Sequence, residues 1–392
     1  MYGKPLAYIV KIKDIREIPG ADRIELATVM DYTVVVKKNE YKPGDFGLYV
    51  EVDSVLPDDA EKFPFFEFLR DKKFKIKSMK LGKFGVISQG ILFKPSDIGL
   101  TNVKVGQDYT QQFKITEIVQ DEEEAGLTNN NNKKDNWFIR KLMRYKWFRD
   151  WRKRHNVSET WHETFPGKSD EENVQKIYTE MYEKYANEEW VATEKLEGQN
   201  ITIYTEEVNG LFGKTKRVGV CSRTRELNKN GNGKNFWDTV IREKLDEQIK
   251  NIPGEWWCRG EHLGPGIQKN IYKLQKTTVR FFDFYRKEYY NDTKCSKVRK
   301  FRWVKLNFEE SVAFAKQWNL PFVPILDEHY KLPKGGLNEQ GVYVSGSDIM
   351  LQQSDKPTIF GNDLKHKREG FVLRLRNNYN VSFKVKNPNY SL

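Results

Sequence analysis

Residues 191 to 200 read Val-Ala-Thr-Glu-Lys-Leu-Glu-Gly-Gln-Asn. The run Val191 to Thr193 and the run Ile201 to Tyr204 are β-branched and aromatic, the composition of strands. Lys195 therefore falls where a strand gives way to a loop, with Glu197 and Gly198 close behind it. A glycine there lets the backbone turn and approach a ligand closely. A protonated amine is a poor nucleophile; desolvation or a neighbouring cation makes a lysine reactive. Lys-x-x-Gly is also what a lysine-rich chain places in ordinary surface turns, so its meaning depends on the surroundings.

The chain has 392 residues, enough for two domains and a connecting element. Aromatic residues at 14% supply sizeable cores although 31% of the chain is charged. A net charge of +12 points to a polyanionic partner, nucleic acid first and an anionic membrane surface second. Cys221, Cys258 and Cys295 are far apart and do not join the histidines at metal-ligand spacing, which fits a reduced intracellular setting. No signal-peptide core opens the sequence, and no apolar run reaches the roughly 18 residues of a membrane span. The expectation is a soluble cytoplasmic protein with no membrane contact.

Upstream of the quoted stretch, residues 1–115 read as short strands and turns. Tyr8 to Ile12, Ala27 to Met30, Thr33 to Val36 and Gly47 to Val52 are β-rich, separated by turn signals such as Pro19-Gly20 and Pro43-Gly44. This spacing suits a small barrel of the OB type. From residue 73 to 77 lysine alternates with Phe74 and Ile76, which as a strand sets Lys73, Lys75 and Lys77 on one face. Such a row either guards an edge strand against aggregation or lines a groove for a nucleic-acid backbone.

Residues 116–160 break the pattern. An acidic run, Asp121 to Glu124, and an asparagine run precede a charge reversal: between Asn131 and His155 ten Lys or Arg face two Asp, with aromatics interleaved. Lacking Gly and Pro, this stretch is expected to be a linker helix. Its arginines, Arg149, Arg152 and Arg154 among them, either solvate that helix or clamp nucleic acid. Residues 161–392 mix strands and helices. Residues 170–186 are expected to form a capped amphipathic helix, and Asn307 to cap one running to about Trp318, with Asn319 just past its end.

Five elements follow Lys195 in order: Ser222-Arg223-Thr224; Arg259-Gly260-Glu261; Phe281-Phe282-Asp283-Phe284; Glu369-Gly370-Phe371-Val372-Leu373-Arg374; and Ser382-Phe383-Lys384-Val385-Lys386. Each alone is commonplace. In this order over about 190 residues they resemble the covalent nucleotidyltransferases, the ligases and capping enzymes. Capping enzymes and DNA ligases typically carry Arg two residues after the glycine, and an OB domain after the final Lys-x-Lys. Here Asn200 holds the first position, six residues follow Lys386, and the small β-domain lies in front. The chain thus resembles the ATP-dependent RNA ligases with an N-terminal OB domain, RNA ligase family 5. Asn173 stands where those ligases typically have Arg, and Glu197 where Asp is more usual.

That resemblance implies an α+β architecture: an N-terminal OB-type barrel over 1–115, a linker helix within 116–160, and a C-terminal nucleotidyltransferase domain of antiparallel sheets and helices, ATP-grasp-like, over 161–392. It implies ATP and Mg²⁺ or Mn²⁺ as cofactors, and RNA as partner, in a nicked duplex or RNA/DNA hybrid, bound by a monomer. Lys195 would be the nucleophile, with Glu261, Glu369, Lys384 and Lys386 completing the catalytic set. Glu194, Asn200, Arg223, Phe282 and Phe284 would join them around the nucleotide, either Phe stacking on adenine because the two lie two residues apart and face the same way. Glu197, Glu261 and Glu369 would hold the metal. A DNA ligase, an mRNA guanylyltransferase and a non-catalytic binding protein on the same scaffold remain alternatives.

Overall fold

The computed structural model describes residues 5–118, 165–166, 171–210, 213–223, 225–229, 231, 233–291, 299–339, 341 and 343–390. The expected linker helix, with Arg149, Arg152 and Arg154, lies outside the described residues, as do Asp170 and Thr224.

The N-terminal part is an OB fold whose sheet nearly closes into a barrel. Its strands are β1 (Ala7–Glu17), β2 (Ile24–Val29), β3 (Tyr32–Lys37), β4 (Phe46–Val50) and β5 (Ser54–Val55). A 3₁₀ segment, Pro64–Lys72, leads to β6 (Lys75–Ile76), β7 (Met79–Leu81), β8 (Val86–Ser88), β9 (Ile91–Phe93) and β10 (Thr116–Glu117). The main sheet runs β3-β2-β1-β4-β9, and a smaller one β10-β5-β6. Alternation along β1 serves two cores: Ala7 and Ile9 face Leu48, Phe66 and Phe93, while Tyr8, Val10 and Ile12 face Val29, Tyr32 and Tyr49. A bulge between Ile12 and Asp14 bends the strand.

The alternation expected over residues 73–77 fails at its start. Lys73 and Phe74 both have left-handed backbones, φ 52° and 55°, because Lys73 closes the 3₁₀ segment, so only Lys75 and Ile76 are strand. Phe74 and Ile76 enter the barrel core; Lys73 and Lys77 stay exposed.

The C-terminal part comprises β11 (Glu172–Asn173), α1 (Val174–Tyr185), β12 (Trp190–Lys195), β13 (Gln199–Gly210), β14 (Gly213–Cys221), α2 (Lys234–Arg242) and α3 (Leu245–Asn251). There follow β15 (Trp256–Leu263), β16 (Thr278–Asn291), β17 (Arg299–Lys305), α4 (Phe308–Gln317), β18 (Ile325–Tyr330), β19 (Gly336–Leu337) and β20 (Tyr343–Val344). The last elements are α5 (Gly346–Ser354), β21 (Gly370–Leu375) and β22 (Asn378–Lys386). Two five-stranded sheets carry the site, β11-β22-β21-β12-β18 and β14-β13-β15-β16-β17. Helices α1 and α5 cover the first with Val174, Tyr178 and Met350; α2, α3 and α4 cover the second with Trp237, Ile249 and Phe314. The chain passes from one sheet to the other between β12 and β13, at Leu196 to Gly198.

Asn307 caps α4 as expected, in a reciprocal pair with Glu310, and Asn319 is left-handed at φ 51°. Helix α1 starts later than expected, at Val174, because Glu172 and Asn173 pair in parallel with Phe383 and Lys384 of β22.

The OB fold docks on α1. Lys176 Nζ lies 3.0 Å from Glu51 and 3.4 Å from Glu172, and Tyr8 donates to Glu51 at 2.7 Å. Gln175 donates from Nε2 to Gln89, Asp31 N–H donates to the Gln175 carbonyl, and Ser347 donates to Asp31.

His262 on β15 is fully buried, its Nε2 2.9 Å from Thr239 Oγ1 on α2. Burial, with the Arg242 charge adding, pushes its pKa down to about 3. The unfolded chain takes up this proton near pH 6.5 and the folded chain only near 3, so stability falls as pH drops through that window. Between pH 7 and 5 in urea unfolding, the protein is expected to lose about 2 kcal/mol more than His262→Gln loses. Equal losses would show that another group titrates.

Candidate active site

Lys195 ends β12, at the crossing between the two sheets. Lys195 pairs with Gly370 of β21, and Gly370 pairs with Lys386 of β22, so the two lysines flank a residue without a side chain. They stand about 10 Å apart along this row, two strand spacings. Lys384, opposite Val372, shares the face of Lys386. Gly370 has φ 148°, and a Cβ there would meet the Val385 carbonyl oxygen at 2.0 Å; no other residue fits. Glu369 precedes it and forms an ion pair with Lys195 Nζ, both side chains mostly shielded.

Gly198 is demanded by close approach rather than by a left-handed backbone: its Cβ would lie 2.4 Å from the His262 carbonyl oxygen. Strand β13 is thereby pressed on β15, which sets Asn200 opposite Glu261, itself opposite Arg280. The Glu197 N–H donates to the Tyr272 hydroxyl at 2.7 Å. Burial raises the Glu197 carboxyl above its ordinary range, and the nearby Glu369 charge adds to this. Its Oε2 is buried and takes no hydrogen bond among the described residues.

Glu194 points elsewhere. Its carboxylate is buried, accepting from the Thr358 hydroxyl and from the Ile359 N–H, and burial raises its pKa. It braces the loop at 358–360. Arg223 is half-exposed with its guanidinium 3.5 Å from Glu117 of the OB fold.

The two phenylalanines do not face the same way. A bulge places Phe281 opposite Gly260 and Asp283 opposite Arg259, leaving Phe282 as the extra residue. Alternation is reset there, so Phe284 joins Phe281 in the closed core against Phe314, and the expectation that it reaches a nucleotide is corrected. Phe282 instead packs beside Leu196 and Tyr272, with the Arg374 guanidinium 5.6 Å from its ring centre. Arg374 also lies 3.2 Å from Asp283 Oδ1, and Lys305 Nζ 3.0 Å from the same atom. Burial works to raise the Asp283 pKa, but Arg374, Lys305 and Arg259 overcome it and hold it low.

Three residues outside the sequence reading thus belong to this region: Tyr272 under Glu197, Lys305 under Asp283, and Asp53, 2.8 Å from Lys386. No local pattern marks them, because each acts across elements distant in sequence. The expected carboxylate triad is corrected too: no group of three metal-ligating side chains exists among the described residues. Glu197 and Glu369 neighbour one another, while Glu261 stands on the other sheet.

A sheet-crossing lysine facing a carboxylate and two strand lysines, behind an OB fold, defines a nucleotidyltransferase ligase. The sequence model of the RNA ligase family matches residues 188–386, and the chain belongs to that family. An OB-fold domain model matches residues 6–95. Solved structures of Naegleria gruberi RNA ligase share the fold across both domains. A variant without ligand superposes with TM-score 0.72 at 24% identity, covering 98% of this chain and 97% of that one. A variant with AMP and Mn gives 0.71 at 23%, covering 97% and 96%, and the ligase with PPi 0.69 at 23%, covering 98% and 97%. No match was found among curated proteins. No helix among the described residues is long and apolar enough to cross a membrane.

Proposed function

We propose that the protein is an ATP-dependent RNA ligase that joins 3′-hydroxyl and 5′-phosphate RNA ends, nicks in duplexes foremost, as a monomer. The observation that carries this reading is the row Lys195–Gly370–Lys386 with Glu369 against Lys195. It sets one nucleophile and two fixed cations around a space free of side chains.

Lys195 Nζ attacks the α-phosphorus of ATP; the N–P bond forms, the bond to pyrophosphate breaks, and AMP stays as a phosphoramidate. A 5′-phosphate oxygen then takes the AMP and frees the amine, and a 3′-hydroxyl displaces AMP to seal the strand. Lys384 and Lys386 hold phosphate oxygens from one face. Phe282 offers the aromatic face for adenine, and Arg223, Glu261 and Asn200 line the ribose side. The ion pair with Glu369 must open before Lys195 attacks. The unpartnered Glu197 oxygen beside Glu369 fits a hydrated divalent ion better than a directly ligated one. When bound, Mg²⁺ or Mn²⁺ would supply hard positive charge against the phosphate. The titles of similar ligase structures name ATP with Mn and AMP with Mn, which supports the same choice of cofactors here. Domain limits at 115 and 160 and a cytoplasmic setting complete the proposal; the buried free thiols Cys221 and Cys258 support the latter.

The test is incubation with α-labelled ATP, or separately GTP, plus divalent metal, then denaturation and mass spectrometry. An AMP adduct on Lys195 is expected, and Glu369→Ala is expected to lose metal-dependent labelling by at least about a hundredfold while keeping its thermal transition. A GMP adduct would make the protein a capping enzyme, and no adduct would leave a binding scaffold.

A further inference from the structure

Asp53 lies between β4 and β5 of the OB fold with a left-handed backbone, φ 63°. Its N–H donates to the Ile76 carbonyl at 2.8 Å and its carbonyl accepts from Ile118 N–H at 2.7 Å. Two backbone bonds thus fix a conformation that L-residues rarely adopt, and they aim the side chain out of its own domain. Its Oδ2 lies 2.8 Å from Lys386 Nζ, with both side chains partly open to solvent. Lys77 follows directly on Ile76, the residue that holds the Asp53 N–H. Burial works to raise the Asp53 pKa, but Lys386, then Lys384 and Lys77, overcome it and lower it. One carboxylate is therefore surrounded by three lysines from two domains, at the end of the row that begins with Lys195.

We propose that this junction seats the leaving phosphates of the nucleotide: Asp53 competes with phosphate for Lys386, and Lys77 of the OB fold joins Lys384 and Lys386 in holding it. The proposal rests on the reading of Lys195 as nucleophile and ATP as donor. A carboxylate and a phosphate are both anionic oxygen acceptors that seek the same ammonium. An incoming pyrophosphoryl group must displace Asp53, and Asp53 takes Lys386 back as pyrophosphate departs. The OB fold thereby lowers affinity for the leaving group while Lys77 lends charge to the bound triphosphate.

The full chain is assayed for self-adenylylation across ATP concentrations, for discharge of its AMP adduct by inorganic pyrophosphate, and for sealing of pre-adenylylated nicked RNA. Asp53→Asn keeps the shape and tolerates the left-handed backbone. Its KM for ATP and its half-maximal pyrophosphate concentration are expected to fall about two- to fivefold. Lys77→Ala is expected to raise both about three- to tenfold. Sealing of pre-adenylylated RNA, which has no pyrophosphate to lose, keeps its rate. Unchanged or raised ATP and pyrophosphate constants in Asp53→Asn overturn the proposal. So does Lys77→Ala slowing only the sealing of pre-adenylylated RNA, which would make Lys77 an RNA contact. If the parent protein takes no label from ATP, the underlying reading falls as well; if it labels and the constants do not move, the proposal alone falls.

Discussion

Lys195→Ala is expected to stay folded and to retain no nucleotide: after α-labelled ATP, divalent metal and denaturation, the chain carries no label. The amine sits at the end of β12, held by Glu369 alone among the interactions described for it. Lys386 is two strands away, and Lys384 further along β22, too far to take over attack on the same phosphorus. Ligation from ATP should therefore drop by on the order of 10⁴ or more. Sealing of RNA that already carries AMP on its 5′-phosphate should persist, because that step no longer needs the lysine as carrier. The change removes one partly exposed ion pair and costs about 1 kcal/mol of stability. Label on the alanine variant would sink the assignment. Loss of both activities together with the thermal transition would make Lys195 a structural residue.

Asp283→Ala should have the largest effect on stability. Asp283 is 1% exposed, and its carboxylate faces Arg374 at 3.2 Å and Lys305 at 3.0 Å. Removing it strands two cations in the interior, with Glu171 at 3.8 Å from Arg374 as the remaining carboxylate. Breaking such a buried pair costs about 3–5 kcal/mol, because the partner charge is left uncompensated. Unfolding by denaturant should show that loss, and the midpoint of thermal unfolding should fall by roughly 10 °C. Adding Lys305→Met to Asp283→Ala should recover part of it, since one stranded charge is gone. A loss below about 1 kcal/mol would mean that water reaches the cluster. Arg374 also backs the Phe282 ring, so the single variant should weaken nucleotide binding as well.

What the sequence disclosed follows the range over which each signal acts. The β-branched run before Lys195, the turn pairs of the OB fold and the Asn307 cap are local, and they land where the residue types place them. The ordered elements from Lys195 to Lys386 were legible because each is a short strand or strand end whose neighbours set its face. The bulge at Phe282 was not: alternation cannot show where one residue is inserted, and it is the insertion that separates Phe282 from Phe284. The helix start at 174 escaped for a similar reason, because pairing of Glu172 with Phe383 spans the whole domain. Asp53 is the extreme case. Its partner is 333 positions away in sequence, and nothing in Glu51-Val52-Asp53 hints at it.

The contacts that seat the OB fold on α1 bear on how such an enzyme can be rebuilt. Tyr8, Glu51, Asp31 and Gln89 each meet a specific group on Lys176, Gln175 or Ser347, and Glu51 and Lys176 are both largely sheltered from water. A barrel transplanted from another ligase would arrive without those four side chains and would leave Lys176 short of its carboxylate. The two halves are therefore not interchangeable modules on a string, and a functional chimera must carry the seam along with the barrel.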